Sequence, residues 1–212
     1  MLCRRRARTT ALEAALWYAQ EWGWAVTLGA YWDRGACSCG SADCPAPGEH
    51  PLNVDWANRA SRDPDTIARW LRENPRASLL LPTGQTFDVI DVPAEPGHAA
   101  LHRMTQLGLT PGPAVATSSG RLLFFVAPGG HEALPGLLAA YGCAVGALGI
   151  RSHGPGDHVI APPSGHGEKG TARWAYISHE HPLPLPQAEQ IVGSLVYALR
   201  ATIPAQRHPA RA

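Results

Sequence analysis

The sequence predicts an α+β fold, a mixed or antiparallel sheet with flanking helices. Three observations lead there. Helix start signals and short β-branched or aromatic runs alternate along the chain. The second half carries a hairpin signal, two apolar runs either side of Ser118-Ser119-Gly120. Gly and Pro together make 42 of 212 residues, 22 and 20, which punctuates the chain too often for a long-helix bundle.

The elements follow in order. Thr10 and Glu13 form a capping-box pair, and Leu12, Ala15, Leu16, Ala19 and Trp22 fall on one helical face that Gly23 ends. Trp24 to Leu28 reads as a strand and residues 33–53 as a Cys/Gly/Pro loop. Asp63-Pro64-Asp65 opens a second helix, with Asp63 as N-cap and Pro64 in the first turn. Ile67, Trp70 and Leu71 face the core, and Pro75 ends the helix. Ser78 to Leu81 and Phe87 to Val92 read as strands across Pro82-Thr83-Gly84, and His98 to Leu107 as a helix. Ala114 to Thr117 and Arg121 to Ala127 form the hairpin. Glu132 to Tyr141 is helical, while Gly149 to Ser152, His158 to Ala161 and Arg173 to Ile177 are short strands. Pro186 to Ala201 is an amphipathic helix. The expected organisation is a basic disordered stretch over 1–9, one domain over 10–203, and a disordered tail over 204–212.

Charge narrows the function classes. Eighteen basic residues against 17 acidic ones exclude a polybasic nucleic-acid binder, so contact with phosphate needs a local patch. Arg4, Arg5, Arg6 and Arg8 imitate the start of a signal peptide, but the segment that follows contains acids and two Trp. With no apolar run of spanning length, the expectation is a cytoplasmic chain without membrane contact.

Cys37, Cys39, Cys44 and His50 give C-x-C-x4-C-x5-H in a Gly/Pro-rich loop. Three thiolates and an imidazole are the ligand set of a closed, structural Zn2+ site. The alternative is a loop with free thiols; a disulfide would leave one of the three over. Cys3 reads as a tail residue and Cys143 as a small buried hydrophobe.

Asp88 and Asp91 stand in an apolar strand, three apart, and so point to opposite faces. The position two after Asp91 is Pro93, which offers no ligand. A strand-end Asp that hydrogen-bonds a loop is the other reading. Arg121, Arg151, His153, His158, His166, Lys169 and Arg173 form a set of phosphate-type donors, and Asp157 reads as a turn residue.

These residues resemble a family. Gly23-Trp24-Ala25-Val26, the Cys37–Cys44 loop, Pro47-Gly48-Glu49-His50-Pro51, and Trp56, Ala60, Asp63, Ile67, Trp70 and Pro75 carry the first part of the likeness. Thr83-Gly84, Ser119-Gly120-Arg121 with Phe125, Ala161-Pro162-Pro163-Ser164 with His166, and Trp174 carry the rest. Over roughly residues 11 to 178 the chain is similar to the N-terminal domain of bifunctional DNA primase/polymerases, the prim-pol branch of the archaeo-eukaryotic primase superfamily. The resemblance implies an RRM-like palm, template-dependent nucleotidyl transfer in DNA replication, and a centre binding Mg2+ or Mn2+. It further implies nucleoside triphosphate and DNA as ligands and a separate helicase or replication protein as partner. Mapped residue by residue, it makes Asp91 the first catalytic acid, with Asp88 the nearby acid that could substitute for a missing one, and Ser119, Arg121, Arg151, His158 and His166 the nucleotide contacts.

The chain departs from the pattern where chemistry is done. Pro93 stands in place of the second acid, Leu122 in place of a His, and Gly149 in place of the third acid. The expectation is therefore an impaired polymerase centre. The alternative is a non-catalytic module that binds nucleotide or nucleic acid, or a zinc-stabilised protein-interaction module.

Overall fold

The computed structural model describes residues 10–144, 146, 148–165, 170–177 and 184–202. The first helix, α1 (Ala11–Gln20), starts where the sequence places it. Thr10 Oγ1 accepts from the Glu13 amide, and the Glu13 carboxylate accepts from the Thr10 amide at 2.8 Å. Its buried face carries Ala14, Ala15, Tyr18 and Ala19. The chain continues through β1 (Thr27–Gly29), β2 (Trp32–Asp33), β3 (Ala36–Cys37) and the short α2 (Trp56–Arg59). Helix α3 (Pro64–Glu73) is capped by the Asp63 carboxylate, which accepts from the Thr66 amide at 2.9 Å.

The second half supplies β4 (Ser78–Pro82), β5 (Asp88–Pro93), α4 (Ala94–Gln106), β6 (Ala114–Ala116), β7 (Arg121–Val126) and α5 (Gly130–Ala140). After these come β8 (Arg151–His153), β9 (His158–Ile160), β10 (Arg173–Tyr176) and α6 (Ala188–Thr202). Five of the strands form an antiparallel sheet in the order β10-β6-β7-β5-β8, and β1-β4-β9 form a second antiparallel sheet.

Alternation along β5 and β7 builds two cores from one sheet. Val89, Leu123 and Phe125 face the three-stranded sheet, where Leu79, Leu80, Leu81, Val159 and Ile160 meet Tyr18, Trp24 and Ile67. Ile90, Val92, Leu122, Phe124 and Val126 face the other way, into a layer made by α4, α5 and α6. Because both faces are covered, the strands read as continuous apolar runs rather than alternating ones. Trp24 stacks on Phe125 with centroids 5.0 Å apart, and Phe87 lies 4.7 Å from Trp24 and 4.8 Å from Phe125. Trp22 and Trp70, expected in the core, pack against this cluster partly buried.

Several boundaries differ from expectation. Helix α4 begins at Ala94 rather than His98, since Pro96 falls in its first turn, where the missing amide is not needed. Gly97 in that turn is required: a Cβ there would lie 2.9 Å from Leu122 Cβ and Val92 Cγ2, so the helix could not approach the sheet. Strand β1 starts at Thr27, because Val26 makes only an isolated bridge to Ser61. The 33–53 loop contains a β2–β3 pairing, Trp32 opposite Cys37. Strand β8 runs Arg151–His153 rather than Gly149–Ser152, because Gly149 sits at φ +67. Among the described residues no helix is long and apolar enough to cross a membrane. The expected N-terminal stretch with Cys3, the tail after 203, and the candidate residues His166 and Lys169 lie outside the described residues.

Candidate functional site

Two polar sites flank the shared core. The first is the cysteine loop. The β2–β3 hairpin turns through Arg34 and Gly35, both at positive φ, and delivers Cys37 into a buried position. The far end of the loop is pinned to β1: Ala30 donates to the His50 carbonyl at 2.8 Å, and Gly29 bridges Pro51. This closure brings Cys37, Cys39, Cys44 and His50 together, with one ligand atom from each lying within 4.8 Å of the others. Sulfur atoms around a tetrahedral zinc lie roughly 3.8 Å apart, from a Zn–S bond near 2.3 Å. The four residues fit such an ion.

The imidazole is already oriented. His50 Nδ1 lies 3.0 Å from the Pro51 carbonyl, which only accepts, so Nδ1 carries the proton. Nε2 then turns its lone pair toward the thiols, 3.4 Å from Cys37 Sγ. Burial pushes the Cys37 thiol up, but amides of Cys39 and Gly48 together with His50 and Cys39 outweigh it and hold the group down at about 6. Burial and the neighbouring Cys37 and Cys39 push Cys44 up to about 11. The cluster thus holds its protons unevenly, and a divalent cation would displace them. A zinc ion held by all four residues has no open position and supplies folding energy only.

The second site lies where β5, β7 and β8 run side by side. Asp91, opposite Leu123 on one neighbour and Arg151 on the other, turns its carboxylate into the cleft beside the three-stranded sheet. Its side chain is 6% exposed. Arg121 Nε donates to Asp91 Oδ1 at 2.7 Å, while Arg121 Nη2 donates to the Asp91 carbonyl at 3.1 Å and the Gly149 carbonyl at 2.7 Å. His153 Nε2 lies 3.5 Å from Asp91 Oδ2, and its Nδ1 lies 2.6 Å from Asp157 Oδ2. Burial opposes a charge on His153, but hydrogen bonds and attraction from Asp157 and Asp91 prevail and raise it to about 9. Burial also raises Asp157, and His153 with the His158 amide overturns that, leaving the carboxyl below its ordinary range.

The cleft reaches the cysteine loop. His158 Nε2 donates to the Glu49 carbonyl, next to His50, at 3.1 Å, and Trp56 packs edge-on to the His158 ring. Burial holds His158 below its ordinary value and so neutral at pH 7. Thr83 fastens the turn that carries Asp157. Its amide donates to the Asp157 carbonyl at 2.9 Å and its hydroxyl to the Gly154 carbonyl at 2.6 Å.

The other candidates disperse. Asp88 faces the helix layer, where Oδ2 accepts from the amides of Gly129 and His131 at 2.9 and 3.0 Å and caps α5. It does not join Asp91; it is the strand-end Asp bonded to a loop. Ser119 is exposed in the hairpin turn, its hydroxyl 2.8 Å from that of Thr117. Arg151 is exposed on the cleft side. Ser164, from the Ala-Pro-Pro-Ser element, is structural: its buried hydroxyl accepts from the Leu79 amide at 2.6 Å. Cys143 is half-buried, with an Arg200 Nη2 donor 3.3 Å from its sulfur, rather than a plain core residue.

Leu122 does not line the cleft. It pairs with Val92 and is fully buried in the helix layer, so a side chain at 122 cannot reach Asp91. The cleft-facing residues of β7 are Arg121 and Leu123. Asp157, expected as a turn residue alone, also holds His153; the His153-to-Asp157 spacing across a Gly-Pro-Gly turn was the available signal.

Positions 91, 93 and 149 do converge. A Cβ built on Gly149 would lie 3.4 Å from Pro93 Cγ, and Pro93 is two residues from Asp91 on the same face. The residues present there do not fit a pair of divalent metals. One position is a carboxylate already paired with Arg121, one is Pro, and one is Gly. Among the described residues, the cysteine loop holds the one group of three or more His, Cys, Asp or Glu that is spaced for an ion.

A search of curated proteins finds no match for the chain. The family model described as bifunctional DNA primase/polymerase, N-terminal, matches residues 15–188. With that span covering most of the sequence, and with the cysteine loop, the Asp91 strand and the Ala-Pro-Pro-Ser turn all inside it, the chain belongs to the family of bifunctional DNA primase/polymerase N-terminal domains.

Proposed function

We propose that this domain keeps the primase/polymerase scaffold and a phosphate-binding cleft but has lost nucleotidyl transfer. Its role is then to bind nucleoside triphosphate and DNA rather than to join them. The single observation that carries the reading is the Arg121 guanidinium, 2.7 Å from Asp91 Oδ1 and bonded at the same time to the Gly149 carbonyl. Two-metal phosphoryl transfer needs several carboxylates free to ligate cations that activate the attacking hydroxyl and stabilise the leaving group. The cleft has one such carboxylate at these positions, and a fixed cation already sits on it. The backbone adds to this: Gly149 at φ +67 occupies a conformation that an Asp adopts only with strain.

Nε, Nη1 and Nη2 of arginine suit phosphate oxygens, and Arg151 and His153 stand beside Arg121 on the same side of the sheet. The cysteine loop, with zinc, would fix Glu49 and through it His158 at the cleft wall.

Primer-extension and de novo priming assays with Mg2+ and with Mn2+ test the loss of transfer. The expected outcome is no template-dependent product. Synthesis that disappears in Asp91→Ala would overturn the proposal. Titration with nucleoside triphosphate and with single-stranded DNA at low salt tests the binding half, and saturable binding is expected.

A further inference from the structure

We infer that the cleft takes the polyphosphate of a nucleotide directly, with no divalent metal between them, because the Arg121 guanidinium fills the place of the metal centre. This inference rests on the binding reading above and goes beyond it by reversing the sign of the metal dependence.

Charge and free donors both favour direct binding. A cluster of carboxylates repels a polyphosphate until cations are bound, so binding to such a cluster requires the metal. Here Arg121 sits on Asp91 at 2.7 Å, His153 lies between Asp91 and Asp157, and the exposed Arg151 adds a second guanidinium on the same face. The Asp91 carboxylate is therefore compensated without any ion, and added divalent cation would meet repulsion from Arg121 at the carboxylate it needs.

Donors remain after the internal bonds are made. Arg121 spends Nε on Asp91 and the two N–H of Nη2 on the carbonyls of Asp91 and Gly149. A guanidinium has five N–H groups, so the Nη1 pair is left over. The side chain is 19% exposed and so reaches solvent. Arg151 pairs with Asp91 in the strand register, is exposed, and makes no side-chain bond among the described residues. Two guanidinium groups on one face, from the strands that flank β5 on either side, suit the several oxygens of a di- or triphosphate better than a single phosphodiester. A magnesium-bound nucleotide carries two fewer negative charges and has oxygens already taken, so it is the weaker ligand.

Calorimetric titration of the zinc-loaded protein with ATP and with dATP tests this. Two buffers are compared: one stripped of divalent cations beforehand and free of chelator, so that the cysteine site keeps its zinc, and one with excess Mg2+. Binding at least as tight without Mg2+ as with it is expected. Arg151→Ala, an exposed change that leaves the fold intact, should weaken binding about tenfold, the loss of one charge-assisted contact. Asp91→Asn, which removes a negative charge and keeps an acceptor for Arg121, should leave binding unchanged or tighten it. Binding seen only with Mg2+, and lost in Asp91→Asn, would overturn the inference and leave the binding reading standing. No binding of either nucleotide in either buffer would overturn the binding reading and the inference with it.

Discussion

The cysteine loop and the Asp91 cleft lie at two ends of one polar chain through Glu49, His158 and Asp157, yet they treat positive charge in opposite ways. In the loop, three sulfurs and an imidazole nitrogen converge with no cationic side chain among them. In the cleft, one buried carboxylate meets a guanidinium at 2.7 Å and an imidazole at 3.5 Å. A metal site is a set of donors that the protein leaves uncompensated. The first region meets that description, and the second carries its compensation in its own sequence.

The largest expected effect comes from breaking the loop's side of this contrast. Cys39→Ser should abolish binding of about one zinc per chain, read by metal analysis. The melting temperature should fall by about 10 °C, equivalent to roughly 3–4 kcal/mol for a chain of this size. A metal-free chain with an unchanged melt would remove the contrast altogether.

Next in size is Arg121→Ala. It leaves Asp91 buried without its main partner, which typically costs about 3 kcal/mol or more, measured by urea unfolding. Zinc content should not change. Asp91→Asn in the same background should recover part of the loss, because the uncompensated charge is then gone.

The pH dependence is smaller and separates two bonded groups of the cleft by sign. His153 is raised to about 9 in the folded chain against an ordinary 6.5. A group so raised contributes stability that is fully present below about 6.5 and is lost as pH climbs through about 9. Asp157, lowered on folding, contributes above its ordinary value of 3.8 and loses that contribution as pH falls below it. The urea midpoint should therefore decline between pH 6.5 and 9, and His153→Gln should flatten that decline. An identical slope in the variant would show that the imidazole does not hold the cleft together.

The smallest effect is the most pointed. Gly149→Asp introduces an acid beside Pro93, but at φ +67 it should cost about 1–2 kcal/mol. It should bring no Mg2+ binding by calorimetry, because Arg121 still occupies Asp91. Tight Mg2+ binding by this variant would mean that the cleft is a dormant metal centre rather than a replaced one.

Much of this was legible in residue types and spacings. The Thr10–Glu13 box, Asp63 with Pro64, and the Ser118–Gly120 turn fix local geometry through bonds between near neighbours, and each forms as expected. The four loop ligands lie within fourteen residues, so the ring they close is short. The cleft was less legible because its partners are distant. Arg121 reaches Asp91 across 30 positions and Gly149 across 28. His153 reads as one of several basic residues until β8 is set beside β5. Period-two alternation also hid a detail: the register that pairs Val92 with Leu122 turns Leu122 away from the cleft and Arg121 into it.

By itself, then, the sequence determined the α+β class, the starts of the first and third helices, the candidate ligands of the loop, and the absence of acids at 93 and 149. These depend on local backbone preference and on side-chain chemistry, which need no distant partner to be read. The tertiary structure alone decided what stands against Asp91. Charge compensation depends on distance and burial, and only the pairing of β5 with β7 and β8 brings one guanidinium against Asp91 and Gly149 at once.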